Sequence, residues 1–171
     1  MVDPNDVKAK ALKLEKQNLK FRTFLKSSAD DDELDAQFLK LHEELFAGYD
    51  CCKCANCCKE YRTLLDDKDV GRIASFLGMT EKDFVAMYLD NADPDDGKPY
   101  KTKNMPCAFL CDDGRCKIQD VKPDDCTEFP YTDHPDRLSS MYGVIEFAEV
   151  CPVVFEIIER LKAMYGFHDR A

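Results

Sequence analysis

The sequence predicts a mostly α-helical protein in two parts: an N-terminal helical hairpin over residues 1–48 and a cysteine-rich helical domain over 49–171, the latter with a short β-hairpin and irregular loops. Three observations carry this. The first part lacks cysteine and repeats apolar residues at helical spacing, the middle carries paired helix start and stop signals, and all ten cysteines fall beyond Tyr49.

Val7, Ala11, Leu14, Phe21 and Leu25 recur three, four and seven apart with Lys and Glu between them, which lays one apolar stripe along a helix of about six turns. Ser27, Ser28 and the acidic run Asp30 to Asp32 interrupt it. Leu34, Phe38, Leu41 and Leu45 then repeat the pattern, and Gly48 stands where a left-handed helix end is expected. Two successive stripes predict an antiparallel pair packed on its own domain; the competing reading makes them a docking surface for a partner helix. Downstream, Asp66 is placed to cap a helix carrying Val70, Ile73, Ala74 and Leu77 and ended by Gly78. Thr80, with Asp83 three residues later, opens another helix carrying Phe84 and Tyr88. Residues 91–106 read as a polar loop. In CAFLCDDGRCKI the Asp113-Gly114 pair between short apolar pieces predicts a tight hairpin that brings Cys107 and Cys116 together. Pro152 at a first helical position starts the last helix, with Val154, Ile157, Ile158, Leu161 and Tyr165 on its apolar side.

A formal net charge of -10 opposes binding to phosphate backbones, so nucleic acid is not an expected partner. The opening residues MVDPNDVKAKALKLEKQ contain no apolar signal core, and no uncharged apolar run approaches the ~20 residues that span a bilayer. A cytoplasmic location without membrane contact is therefore expected. In that compartment thiols stay reduced, and a dense cysteine cluster points to metal or redox chemistry rather than to disulfide bridges.

Cys51, Cys52, Cys54, Cys57 and Cys58 crowd into one short stretch, while Cys107, Cys111, Cys116, Cys126 and Cys151 are spread downstream. Cys51, Cys54 and Cys57 follow C-x2-C-x2-C, a spacing that lets a tight loop turn three thiolates toward one centre, as in bacterial ferredoxin runs. Adjacent side chains diverge by roughly 100 degrees on a helix and by more on a strand, so the Cys57-Cys58 doublet favours two neighbouring metal sites or a cluster of several metal atoms. Cys151 precedes Pro152 and so occupies a helix N-cap, where free amides and the helix dipole favour thiolate. Cys126 is followed by Glu128-Phe129-Pro130, which ends any helix there. The bland alternative for both is a small buried hydrophobe. His42, His134 and His168 lie in the helical pair, a proline-flanked loop and the tail, and are expected to be solvated rather than catalytic. No G-x-G-x-x-G loop or other nucleotide cradle is present.

From about Tyr49 to Tyr165 the chain resembles the YkgJ-like CxxCxxCC cysteine-cluster family of zinc- or iron-chelating domains. CCKCANCC matches the name motif at Cys51, Cys54, Cys57 and Cys58; DVGRIASFLGMTEKDF resembles the family's helical segment, PCAFLCDDGRCKIQDVKPDDCTEFP its second signature, and Cys151-Pro152 its last cysteine. Lys122 and Thr127 stand where the family usually has arginine, and a bidentate anion contact there would be lost. The resemblance implies Cys51, Cys54, Cys57, Cys58, Cys107, Cys116, Cys126 and Cys151 as metal ligands, with Cys52 and Cys111 as spare thiols. These eight thiolates would fill two four-coordinate positions. The metal is then expected to organise the irregular half of the fold.

Three functions follow as expectations. The first is an iron-sulfur cluster protein for redox or electron transfer, acting with another protein. The second is a zinc-stabilised protein-protein interaction module. The third is metal-dependent modification of a protein side chain, which the resemblance raises through related flagellin lysine methylases, although no methyl-donor site is legible here.

Overall fold

The computed structural model describes residues 1–168. Helix α1 (Val7–Ser28) and helix α2 (Asp31–Phe46) form from the two expected stripes, and the aspartate run between them supplies the stop and the start: the Asp30 carboxylate accepts from the Glu33 backbone N–H. Two short turns, α3 (Cys51–Cys54) and α4 (Asn56–Glu60), lead to strand β1 (Leu64–Leu65). Helix α5 (Asp67–Leu77) opens on an Asp66/Asp69 capping box and closes on Gly78 at φ 66°. Helix α6 (Glu81–Tyr88) opens on Thr80, whose side chain accepts from the Asp83 backbone N–H. Strands β2 (Leu89–Asn91) and β3 (Tyr100–Thr102) follow, then α7 (Asp124–Glu128), α8 (Arg137–Phe147) and α9 (Pro152–Met164), the last with Cys151 as N-cap and Pro152 at its start. The chain is mostly α, as expected. Among the described residues no helix is long and apolar enough to cross a membrane.

The chain divides into two compact units, Met1–Tyr49 with Pro130–Ala171, and Asp50–Phe129. In the first, α1 and α2 each pack on α8 and α9, and α8 packs on α9. The two stripes are thus buried mainly against the C-terminal helices rather than against each other, which groups residues beyond 130, Cys151 among them, with the N-terminal pair instead of with the other cysteines. Phe21, Leu25, Leu34 and Phe38 are fully buried there, each such side chain contributing on the order of 1.5–3 kcal/mol. Leu14 is only half-buried, and the polar Asn18 takes a core place. Its side-chain oxygen accepts from the buried Lys162 ammonium at 3.1 Å, and Gln17 accepts from the same group at 2.7 Å. Together with the ion pair to Glu159, these contacts offset the desolvation of the lysine. His42 is half-buried and hydrogen-bonded to Thr132 at 2.8 Å rather than solvated.

Helix α8 is preceded by an aspartate, a usual helix-start residue, yet that side chain does not cap it. Asp136, its N-cap, sits at φ 62° and makes no side-chain cap; the Asp35 carboxylate on α2 accepts from the backbone N–H groups of Asp136 and Arg137 at 2.8 and 2.9 Å. A carboxylate there also complements the helix dipole.

In the second unit, β1, β3 and β2 form an antiparallel sheet in that order, with Leu65 opposite Tyr100 and Leu89 opposite Thr102. The stretch 91–106, expected as a loop, therefore contains the central strand. Its sequence YKT lacks an apolar alternation because only Thr102 of the three is buried. Leu65, Val70, Ile73, Ala74, Phe84, Leu89, Phe109 and Ile118 make the core, and the partly buried Cys107 and Cys116 pack against it. Around Asp113-Gly114 the expected turn forms: Leu110 pairs with Cys116, the Gly114 N–H donates to the Cys111 carbonyl at 2.9 Å, and Gly114 lies at φ 83°.

Candidate metal centre

The cysteine motif folds as two helical turns separated by one left-handed residue. Asp50 caps the first turn, its carboxylate accepting from the Cys52 and Lys53 backbone N–H groups at 3.0 and 3.3 Å. Ala55 then takes φ 50°, a conformation that costs a non-glycine residue roughly 1 kcal/mol, and is held there by burial and by its N–H donating to the Cys51 carbonyl at 2.7 Å. The break leaves Cys51 and Cys54 on one turn and Cys57 and Cys58 on the next.

Three contacts bring the later cysteines to this motif. The Cys107 N–H donates to the Cys58 carbonyl at 2.7 Å. The hairpin's Gly114 lies so close to Cys52 that a β-carbon there would stand 1.9 Å from the Cys52 carbonyl oxygen. On the far side, the buried Asp125 carboxylate accepts from the Tyr61 hydroxyl at 3.1 Å, the Thr63 hydroxyl at 2.8 Å and the Leu64 N–H at 2.9 Å, which anchors α7 to β1 and with it Cys126.

The result is a small cavity, about 70 Å³, lined by five thiols, Cys57, Cys58, Cys107, Cys116 and Cys126, among apolar groups that include Leu65, Phe109 and Phe129. Lys122 also lines it, and no carboxylate does. Cys51 and Cys54 are not part of this lining; they neighbour each other on the preceding turn. Cys52 and Cys111 line a separate cleft, which Cys107 also borders. Cys151 is buried in the other unit. Sequence reasoning did not pick out Tyr61, Thr63 or Asp125 as parts of the site, and it named Lys122 only as standing where the resembled family usually has arginine. For the other three, only the adjacency of Asp125 to Cys126 was a signal.

Cys51, Cys58, Cys107, Cys116 and Cys126 resist ionisation in the absence of a cation. Cys126 is pushed up to about 12, chiefly by burial, with the Thr63 hydroxyl acting in the opposite sense. Burial likewise raises Cys107 and Cys116, and Cys58 is raised first by its hydrogen bond with Cys57, then by burial. Cys51, although exposed as a residue, is raised by desolvation of its thiol and by the neighbouring Cys54 and Cys52. A bound cation reverses this balance, because it stabilises the thiolates that otherwise repel one another. Among the described residues no three His, Cys, Asp or Glu side chains are gathered tightly enough to hold a metal ion as placed; the thiols surround a space rather than a point. Their chemistry fits a thiophilic ion or cluster, zinc or iron, and not calcium or magnesium, which take oxygen ligands.

A family model described as a putative zinc- or iron-chelating domain, CxxCxxCC, matches residues 50–152. No curated protein and no solved structure matches the chain. The matched stretch starts at the Asp50 cap and contains every cysteine.

Proposed function

We propose, from the premise that this chain belongs to the CxxCxxCC family of zinc- or iron-chelating domains, that its cysteine unit carries an iron-sulfur cluster and serves in redox or electron transfer with another protein. The observation that carries the reading is the number of thiols on one cavity. Five line it, including the adjacent pair Cys57 and Cys58, and a single tetrahedral ion needs only four. A centre with more than one metal atom accommodates the surplus.

The proposed ligands are Cys57, Cys58, Cys107, Cys116 and Cys126, joined by Cys51 and Cys54 from the preceding turn. Cys151 remains a candidate from its place in the sequence motif. When bound, such a cluster supplies one-electron exchange; the chain supplies the thiolates and an apolar wall that limits water.

Anaerobic purification with elemental analysis and absorption spectroscopy tests the reading. More than one iron per chain, matching sulfide and broad visible absorption that bleaches with dithionite are expected. Colourless protein with stoichiometric zinc, unchanged after iron-rich expression under nitrogen, would replace the redox reading with a zinc-stabilised interaction module.

A further inference from the structure

We propose that Lys122 is the countercharge of the metal centre: its side chain lines the thiol cavity and offsets the negative charge that metal-bound thiolates bring there. The inference rests on the metal-centre reading above and deepens it.

The cavity wall is its first support. Lys122 shares that wall with five cysteines, no acidic side chain lines it, and among the described residues the Lys122 ammonium makes no ion pair. Among the described residues the other lysines withdrawn from solvent, Lys98, Lys101 and Lys162, each pair with a carboxylate. An anionic occupant of the cavity accounts for the difference: a divalent ion held by four thiolates carries a net double negative charge, and burying that charge among apolar groups is costly unless a cation stands beside it.

The second support is that the fold holds this lysine by its backbone, leaving its side chain free for the cavity. Arg72 on α5 donates to the Lys122 carbonyl at 2.7 Å and to the Asp124 carboxylate at 2.8 Å, while the fully buried Asp69 accepts from the Asp124 N–H at 3.1 Å and from Arg72 at 2.6 Å. Pro123 stiffens the segment between the two anchor points. Lys59, the other cation near Cys58, is exposed, and its ammonium donates to the Cys54 carbonyl instead of lining the cavity.

Zinc alone serves as the probe. Its affinity is measured under nitrogen with reductant, by competition against a chromophoric chelator, for the wild type, Lys122→Met, Lys122→Arg and Lys59→Met. Lys122→Met is expected to weaken zinc binding about 10–100-fold, the range for groups that support metal ligands from outside the coordination sphere, while Lys122→Arg and Lys59→Met stay within a few-fold of wild type. Circular dichroism should be unchanged, because the Arg72 contact uses the Lys122 carbonyl, and Lys122→Gln gives a second neutral variant. Equal affinity in wild type and Lys122→Met overturns the countercharge and leaves the metal centre standing. Weakening in Lys122→Arg as large as in Lys122→Met, or loss of helical signal in both neutral variants, makes Lys122 a packing residue and also overturns it. Failure of the wild type to take up zinc or iron removes both readings together.

Discussion

Gly114→Ala tests whether the hairpin is seated on the cysteine motif as the structure places it. A β-carbon there would lie 1.9 Å from the Cys52 carbonyl oxygen and 2.9 Å from its carbon, where ordinary contact begins near 3.4 Å, so the backbone on one side must retreat by well over an ångström. Two costs add. The left-handed φ of 83° costs an alanine roughly 1–2 kcal/mol, and forcing the two backbones apart costs about 1–3 kcal/mol more. The total, ~2–5 kcal/mol, is a large share of a net stability of ~5–15 kcal/mol. Gly97→Ala is the internal control: it has φ 76° but nothing within 4 Å of the added carbon, so it reports the backbone cost alone. Urea unfolding followed by circular dichroism, with reductant and chelator present, measures both, and elemental analysis of separately loaded protein measures metal content. Gly114→Ala should lose more stability than Gly97→Ala by the contact cost and should also bind less metal. Equal losses in the two variants, with metal content intact in both, would refute the docking of Gly114 on Cys52.

Asp35→Ala strips the start of α8 of its acceptor and should lower stability by ~1–2 kcal/mol in the same unfolding assay, although Asp35 lies on another helix. Cys126→Ser should lower metal content and loosen the cysteine unit, since a hydroxyl is a poor substitute for a thiolate, whereas Cys52→Ser and Cys111→Ser should leave elemental analysis almost unchanged; the reverse pattern would show that the ligands are other cysteines. The metal-free protein should lose stability as pH rises from about 9 toward 12. The unfolded Cys126 thiol ionises near 9.0 while the folded one holds its proton to about 12, so across that window the unfolded state is favoured by up to ~1.4 kcal/mol per pH unit for this group. Urea midpoints taken across that range check this, and a flat profile would contradict the burial of the thiol. Metal-loaded protein should show the opposite limb, releasing metal as pH falls and protons compete for the thiolates.

What the sequence determined by itself is what depends on near neighbours along the chain. The stripes of α1, α2 and α9, the capping residues Asp30, Asp66 and Thr80, the helix ends at Gly78 and the turn at Gly114 are all set by side chains within a few residues of the backbone groups they satisfy. Cysteine type and spacing likewise fix the donor chemistry before any folding is considered. Tertiary structure decided whatever needs a partner far along the chain. Strand β3 is a strand because Leu65 and Leu89 lie on either side of it, at Tyr100 and Thr102, and nothing in its own sequence marks it as one. Helix α8 begins where Asp35 supplies the acceptor that Asp136 does not. The gathering of Cys57, Cys58, Cys107, Cys116 and Cys126 on one cavity depends on the Cys107-Cys58 backbone bond and on Asp125 reaching β1, and Lys122 joins them because Arg72 and Asp69, some fifty residues earlier, grip the backbone on either side of Pro123. Capping and periodicity are short-range and can be read along the chain, whereas pairing register, borrowed caps and the sharing of a buried cavity are satisfied only once distant segments have met.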